Sequence, residues 1–182
     1  MRFTETRLKG AFLVDPEVKD DDRGAFFRTW CKQEFEAHGL NAELVQCSGV
    51  FNRKKGTLRG MHWQAAPRAV AKLVRVIAGA VYDVIADLRP QSTTYRQWFA
   101  VELDSGNRRM LFVPEGFAHG YLTLADDTEL FYQMSESYSP ECARGFRWND
   151  PAFAIDWPDE VRVISERDRK FPDFVANERN FA

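Results

Sequence analysis

The sequence predicts a mainly β protein, a barrel or sandwich built of many short antiparallel strands. Apolar residues alternate with a period of two in short runs, and the runs are punctuated by turn clusters such as Asp22-Arg23-Gly24, Ala78-Gly79-Ala80 and Asp104-Ser105-Gly106-Asn107. Only one segment, 32–38, reads as a clear helix, with Phe35 as its main apolar anchor. At 182 residues, 45% hydrophobic and 14% aromatic, a single domain over 1–182 can bury a proper core.

In chain order, the first expected strand covers 25–30, where aromatic residues follow the Asp22-Arg23-Gly24 turn. The helix over 32–38 comes next. Strands then follow over 43–48, 57–64, 71–77, 81–88, 97–103, 109–113, 120–124 and 128–134. From Trp148 onward, Pro151, Pro158 and Pro172 discourage long regular elements, so irregular chain and a short helix are expected to wrap on the β body. No repeat, low-complexity tract or linker interrupts the pattern.

Composition also excludes some functions. A net charge of −2 gives no global reason to expect nucleic acid or an acidic membrane surface as partner, so any anion site must be local. Cys31, Cys47 and Cys142 are odd in number and widely spaced, unlike a disulfide framework or a Cys-x-x-Cys zinc site, and they imply a reducing cytoplasm. The N-terminus lacks the apolar core of a signal peptide, and no run reaches the roughly 20 apolar residues of a membrane span. A soluble, unexported protein is expected.

The stretch Gly56-Thr57-Leu58-Arg59-Gly60-Met61-His62-Trp63-Gln64 places one of three histidines beside an arginine and a glycine. On a regular strand Leu58, Gly60, His62 and Gln64 share one face and Arg59 the other, so His62 and Arg59 diverge. Both serve one site only if Gly60 marks a bulge, or if Arg59 reaches a site through the rim or a neighbouring subunit. Taken alone, His62 fits a hydrogen-bonded structural histidine equally well. Lys72 shares a face with Val74 and Val76, which draws its ammonium inward, although a lysine opening a strand is more often a solvated edge residue. Asp83, between Val81 and Ile85 on an apolar face, wants a buried partner, which a histidine or lysine across the barrel would supply. Tyr132, on a face with Leu130 and Met134, reads in isolation as a core tyrosine.

Pro114-x-Gly116-x-x-His119 resembles the second motif of the cupin superfamily, in which a barrel strand pair carries a metal-binding histidine. Here the first-motif region offers only His62, followed by Trp63 and Gln64. Two histidines without an evident third ligand make a poor zinc or iron site, so no metal is expected.

Together these segments resemble the dTDP-4-dehydrorhamnose 3,5-epimerase family of nucleotide-sugar enzymes. The resemblance runs almost end to end. It covers Asp22-Arg23-Gly24-x-Phe26, the Gly56 to Gln64 stretch, Lys72-Leu73-Val74-Arg75, Asp83-Val84-x-x-Asp87-Leu88-Arg89 and Pro114-Glu115-Gly116-Phe117-Ala118-His119-Gly120. Tyr132, Tyr138-x-Pro140-Glu141, Trp148-Asn149-Asp150-Pro151 and Ser165-x-x-Asp168 complete it in order.

The resemblance implies a cupin-type jelly-roll β-barrel with short peripheral helices, used as a homodimer, with a site that needs neither metal nor cofactor. It implies His62 as general base, Asp168 as its dyad partner, Tyr132 as general acid and Lys72 as the cation that stabilises an enolate. Arg23, Arg59 and His119 match residues that hold diphosphate and sugar, while Phe26 and Tyr138 match aromatic positions around the base. Gln46, Asp83 and Arg167 are the remaining substrate-binding candidates that it implies. The implied substrate is a nucleotide-linked 4-keto-6-deoxy sugar, whose hydrogens flanking the ketone become acidic once the enolate is stabilised. The segment between Gln46 and Gly56 is one residue longer than the family's usual form and lacks its Asp-Asn pair; Arg28 and Ala143 stand where acidic residues are common. Inversion at C3 alone, a CDP-linked substrate, a metal-dependent cupin and a non-catalytic sugar-binding cupin are the competing readings.

Overall fold

The structure, a computed structural model, describes residues 1–176; residues 177–182 of the domain expected over 1–182 lie outside the described residues. The strands are β1 (Arg2–Glu5), β2 (Phe12–Asp15), β3 (Lys19–Asp21), β4 (Gly24–Phe26), β5 (Gln46–Asn52), β6 (Thr57–Gln64), β7 (Lys72–Ala78), β8 (Ala80–Asp87), β9 (Trp98–Asp104), β10 (Met110–Val113), β11 (Phe117–Thr123), β12 (Thr128–Met134), β13 (Ala143–Gly145) and β14 (Val163–Ile164). Helix α1 (Lys32–Ala37) precedes β5, and α2 (Glu166–Arg169) follows β14.

Two sheets make the barrel. One runs β1-β2-β10-β7-β12-β5, the other β13-β6-β11-β8-β9, with β14 joined to β6 in parallel, and β3 with β4 forms a separate hairpin. The expected jelly roll is what the chain adopts. Period-two alternation explains how it closes: Val74, Val76, Leu111, Val113 and Leu130 from the first sheet meet Val81, Ile85, Leu103, Phe117 and Tyr121 from the second in one buried cluster.

The outer faces are covered differently. On the first sheet, Phe35 of α1 is 1% exposed against Leu73, Met110 and Phe112, a burial that contributes about 1.5–3 kcal/mol. On the second, Met61, Trp63, Val84 and Ala118 lie under Phe146, Phe153 and Ile155, with Trp157 and Phe174 packed alongside. The C-terminal chain therefore wraps the β body as its prolines suggest.

Several boundaries differ from expectation. The strand expected over 25–30 is only the Gly24–Phe26 arm of a hairpin whose register closes at Asp21↔Gly24, since Phe26 has no core to face and is 73% exposed. The strand expected over 43–48 shifts to Gln46–Asn52, because pairing with β12 fixes Gln46 opposite Met134 and Asn52 opposite Thr128. The strand expected over 120–124 starts at Phe117, where seven-residue pairing with β8 begins, and so includes His119. The sequence reading omits β1, β2, β3, β13 and β14, which run two to four residues, too short for alternation to register.

Candidate active site

The two sheets enclose a cavity of about 620 Å³ that opens to solvent. His62, Asp168, Lys72, Tyr132, Gln46, Arg59, His119 and Tyr138 all line it.

His62 and Arg59 face the same cavity because β6 is bulged. His119 of β11 pairs with His62, but Tyr121 pairs with Arg59, so three steps along β6 match two along β11. The extra residue reverses the alternation between Arg59 and His62. Gly60 permits it: at φ +136° a Cβ would stand 2.5 Å from the Gly120 Cα and 3.0 Å from the His119 carbonyl oxygen. Of the two routes open in the sequence, the bulge is the one taken.

Asp168 reaches His62 from the far end of the chain. Parallel pairing of Val163 with Thr57 and Ile164 with Leu58 lays β14 along β6, and α2 begins directly after it. The Ser165 hydroxyl caps that helix by accepting from the Asp168 N–H at 3.0 Å. The buried carboxylate then accepts from His62 Nε2 at 2.7 Å and, more weakly, from the Gly60 N–H at 3.5 Å. Burial on its own would raise the Asp168 carboxyl; the His62 hydrogen bond and charge, with Gly60 and Ser165, outweigh it and hold the group below its ordinary value. An ionised carboxylate only accepts, so the imidazole proton sits on Nε2 and Nδ1 keeps the lone pair. Phe171 packs on the ring at 5.7 Å between centroids.

On the adjoining strands, His119 Nε2 donates to both oxygens of Asp83 at 3.0 Å each. Asp83 is fully buried behind His119 and does not line the cavity itself. The partner that its sequence context calls for is thus the histidine on the neighbouring strand, while Lys72 of the opposite sheet feels its charge through space. Desolvation lowers the Lys72 ammonium to about 8, although Asp83 pulls it upward. Its strand position is interior rather than a solvated edge.

Tyr132 projects from β12 with its ring edge-on to His119 at 6.0 Å. Desolvation, reinforced by Tyr121 and Asp83 and opposed by Arg59, raises the phenol well above its usual value, so it stays protonated. Gln46 at the mouth accepts the Tyr138 backbone N–H at 3.0 Å, and Tyr138 is 55% exposed there.

Three sequence candidates stand elsewhere. Arg167 lines an adjoining cavity of about 200 Å³ that shares His62, Lys72 and Tyr138 with the main one. Arg23 and Phe26 lie on the exposed β3–β4 hairpin, Arg23 ion-paired with Asp21 at 2.6 Å, and neither lines the barrel cavity of its own chain. The sequence reading missed Tyr121 and Asn52, and gave Ser165, quoted with Asp168 in one motif, no role of its own. Alternation from His119 could have found Tyr121; nothing local marks Asn52. Among the described residues, no group of three or more His, Cys, Asp or Glu is arranged to hold a metal ion.

The arrangement offers an oriented imidazole base, a phenol acid and an ammonium around one solvent-accessible volume, a set suited to moving protons on and off carbon. Comparison with known proteins gives consistent results. The family model described as dTDP-4-dehydrorhamnose 3,5-epimerase matches residues 5–176. A dTDP-4-dehydrorhamnose 3,5-epimerase of Methanothermobacter thermautotrophicus is 44% identical over 97% of this chain and 96% of its own. A solved structure of the Bacillus anthracis enzyme of that name, with TDP and PPi bound, is 40% identical with a TM-score of 0.92 over 95% of this chain and 99% of its own. The structure of a Legionella pneumophila dTDP-6-deoxy-D-glucose-3,5-epimerase in complex with dTDP-4-keto-L-rhamnose is 32% identical with a TM-score of 0.88, covering 94% and 92%.

Proposed function

This chain belongs to the dTDP-4-dehydrorhamnose 3,5-epimerase family, and from that membership we propose that it inverts C3 and C5 of dTDP-4-dehydro-6-deoxy-D-glucose, giving dTDP-4-dehydro-L-rhamnose. The observation that carries the mechanism is the His62–Asp168 dyad, 2.7 Å apart, on the wall of a cavity that also holds Tyr132 and Lys72.

Neutral His62 takes the proton from a carbon beside the ketone through Nδ1, and Asp168 stabilises the imidazolium that results. The electron pair moves onto the ketone oxygen. Lys72, with its pKa near 8, is mainly an ammonium at pH 7 and places positive charge where that oxygen develops. Tyr132 returns a proton to the opposite face, which inverts the carbon. Repetition at the second carbon needs the same groups and no hydride carrier. Arg59, His119, Gln46 and Tyr138 then hold sugar, diphosphate and base along the cavity, with Arg167 in the adjoining one.

A homodimer accounts for what one chain leaves over. Arg23 and Phe26 require a second copy's cavity if they are to touch substrate. The outer face of β5, β12 and β7 leaves Phe51 and Ile77 exposed, and Arg75, stacked on Phe131 at 6.0 Å, keeps a buried Nε without a hydrogen-bond partner. Such a face fits an interface between copies. Free Cys31, Cys47 and Cys142 fit a cytoplasmic location, and no helix among the described residues is long and apolar enough to cross a membrane.

Incubation with dTDP-4-dehydro-6-deoxy-D-glucose in D2O tests the reaction. Deuterium at both C3 and C5 of the product is expected; label at one carbon alone contradicts double inversion, and no label at either contradicts epimerisation.

A further inference from the structure

We propose that Tyr121 and Asn52 are positioning residues for the acid step: Tyr121 turns its hydroxyl onto the phenolate that Tyr132 becomes, and Asn52 holds both Tyr121 and Arg59 ready beside it. The inference rests on the epimerase reading above.

A protonated Tyr132 poses a problem. The same burial that keeps its proton makes the phenolate costly, so a proton leaves for carbon only if something nearby supports the charge left behind. Two groups in the cavity wall can. One is Arg59. The other is Tyr121, 2% exposed and on the same face of β11 as His119, which neighbours both tyrosine rings at 6.5 and 6.0 Å.

Their hydrogen bonds are already committed to one acceptor. The Tyr121 hydroxyl donates to Asn52 Oδ1 at 3.2 Å and Arg59 Nε donates to the same oxygen at 2.9 Å. Asn52 is 2% exposed, and its Nδ2 donates to the Thr128 carbonyl at 3.1 Å, which fixes the amide so that Oδ1 faces the two donors. With its proton on Asn52, the Tyr121 oxygen has lone pairs free to accept from the Tyr132 hydroxyl, and the two tyrosines line the same cavity and pack in the same cluster. An amide carries no proton onward, so this chain orients groups and is no relay to solvent.

The step balances simply. The enolate electron pair forms the new C–H bond with the Tyr132 proton, and the phenolate left on Tyr132 receives the Tyr121 O–H, rotated from Asn52. Solvent returns a proton to Tyr132 and removes one from the His62 imidazolium as product leaves.

Tyr121→Phe keeps the ring and deletes the donor. In D2O, its turnover should fall about 10- to 100-fold while deuterium wash-in to recovered substrate stays within about twofold of wild type and KM is unchanged. The ratio of exchange to turnover therefore rises at least tenfold. Asn52→Leu, which removes the shared acceptor, should raise the same ratio. Equal loss of exchange and turnover in Tyr121→Phe, or unchanged turnover, overturns the inference while leaving the epimerase reading intact. A wild-type enzyme that exchanges no label overturns both.

Discussion

His62 and Asp168, separated by 106 residues of chain, meet at 2.7 Å between Nε2 and Oδ1. The contact selects the tautomer of the imidazole. It depends on two backbone devices, the bulge at Gly60 and the capped turn at Ser165, rather than on neighbouring sequence.

Removing either member should stop proton abstraction without unfolding the barrel. His62→Ala is expected to lower turnover by about 10²–10⁴-fold and to abolish deuterium wash-in to the same degree. Asp168→Asn, which presents an amide donor to the ring and favours the wrong tautomer, should lose a comparable factor with the thermal midpoint within a few degrees of wild type. Solvent exchange as fast as wild type in either variant contradicts the base assignment.

Tyr132→Phe separates the two half-steps. Deprotonation does not use the phenol, so wash-in of deuterium should persist while product formation falls by about 10² or more. Nuclear magnetic resonance of recovered substrate reads both. Loss of exchange together with turnover contradicts the acid role.

Lys72 should write its titration into the pH profile. Turnover is expected to fall as pH rises through about 8, where the ammonium is lost, and Lys72→Met should lack that limb along with most of the activity. Stability moves the other way. The folded pKa lies below the unfolded value of 10.5, so the cost of burying the charge is full below about 8 and is relieved between there and 10.5. Lys72→Met should therefore be more stable than wild type at pH 7, by on the order of 1–3 kcal/mol, with the gap closing by pH 10. Urea unfolding at the two pH values checks the sign.

Gly60→Ala tests the bulge. A Cβ there meets the Gly120 backbone at 2.5 Å in a conformation that L side chains rarely adopt, so a loss of about 2 kcal/mol or more is expected. Activity should suffer beyond what the lost stability explains, since the same bulge aims His62 and Arg59 together. A variant with wild-type turnover and midpoint contradicts this account.

Much of this was legible in the residues. Alternation places Lys72 inward with Val74 and Val76, and the isolated charge of Asp83 on an apolar face announces a buried partner, which is His119. The joint placement of Arg59 and His62 was not legible, because a one-residue bulge leaves no periodic trace; the sequence only marks Gly60 as a position that permits one. Asp168 was reachable through family resemblance alone, since no local pattern links positions so far apart. Asn52 lay in a segment whose strand boundary was misread by several residues, and pairing with β12 rather than its own composition decides where that strand runs.

The late arrival of Asp168 has a consequence for biosynthesis. On the proposed reading, a ribosome that has already released β1 through β13 has made a barrel containing the base, the acid and the cation, but no carboxylate to steer the imidazole. Only when β14 docks along β6 is the dyad assembled. Competence is therefore conferred only once the stretch carrying Asp168 has been translated and docked, and a nascent polypeptide that stops short of it cannot act on its sugar.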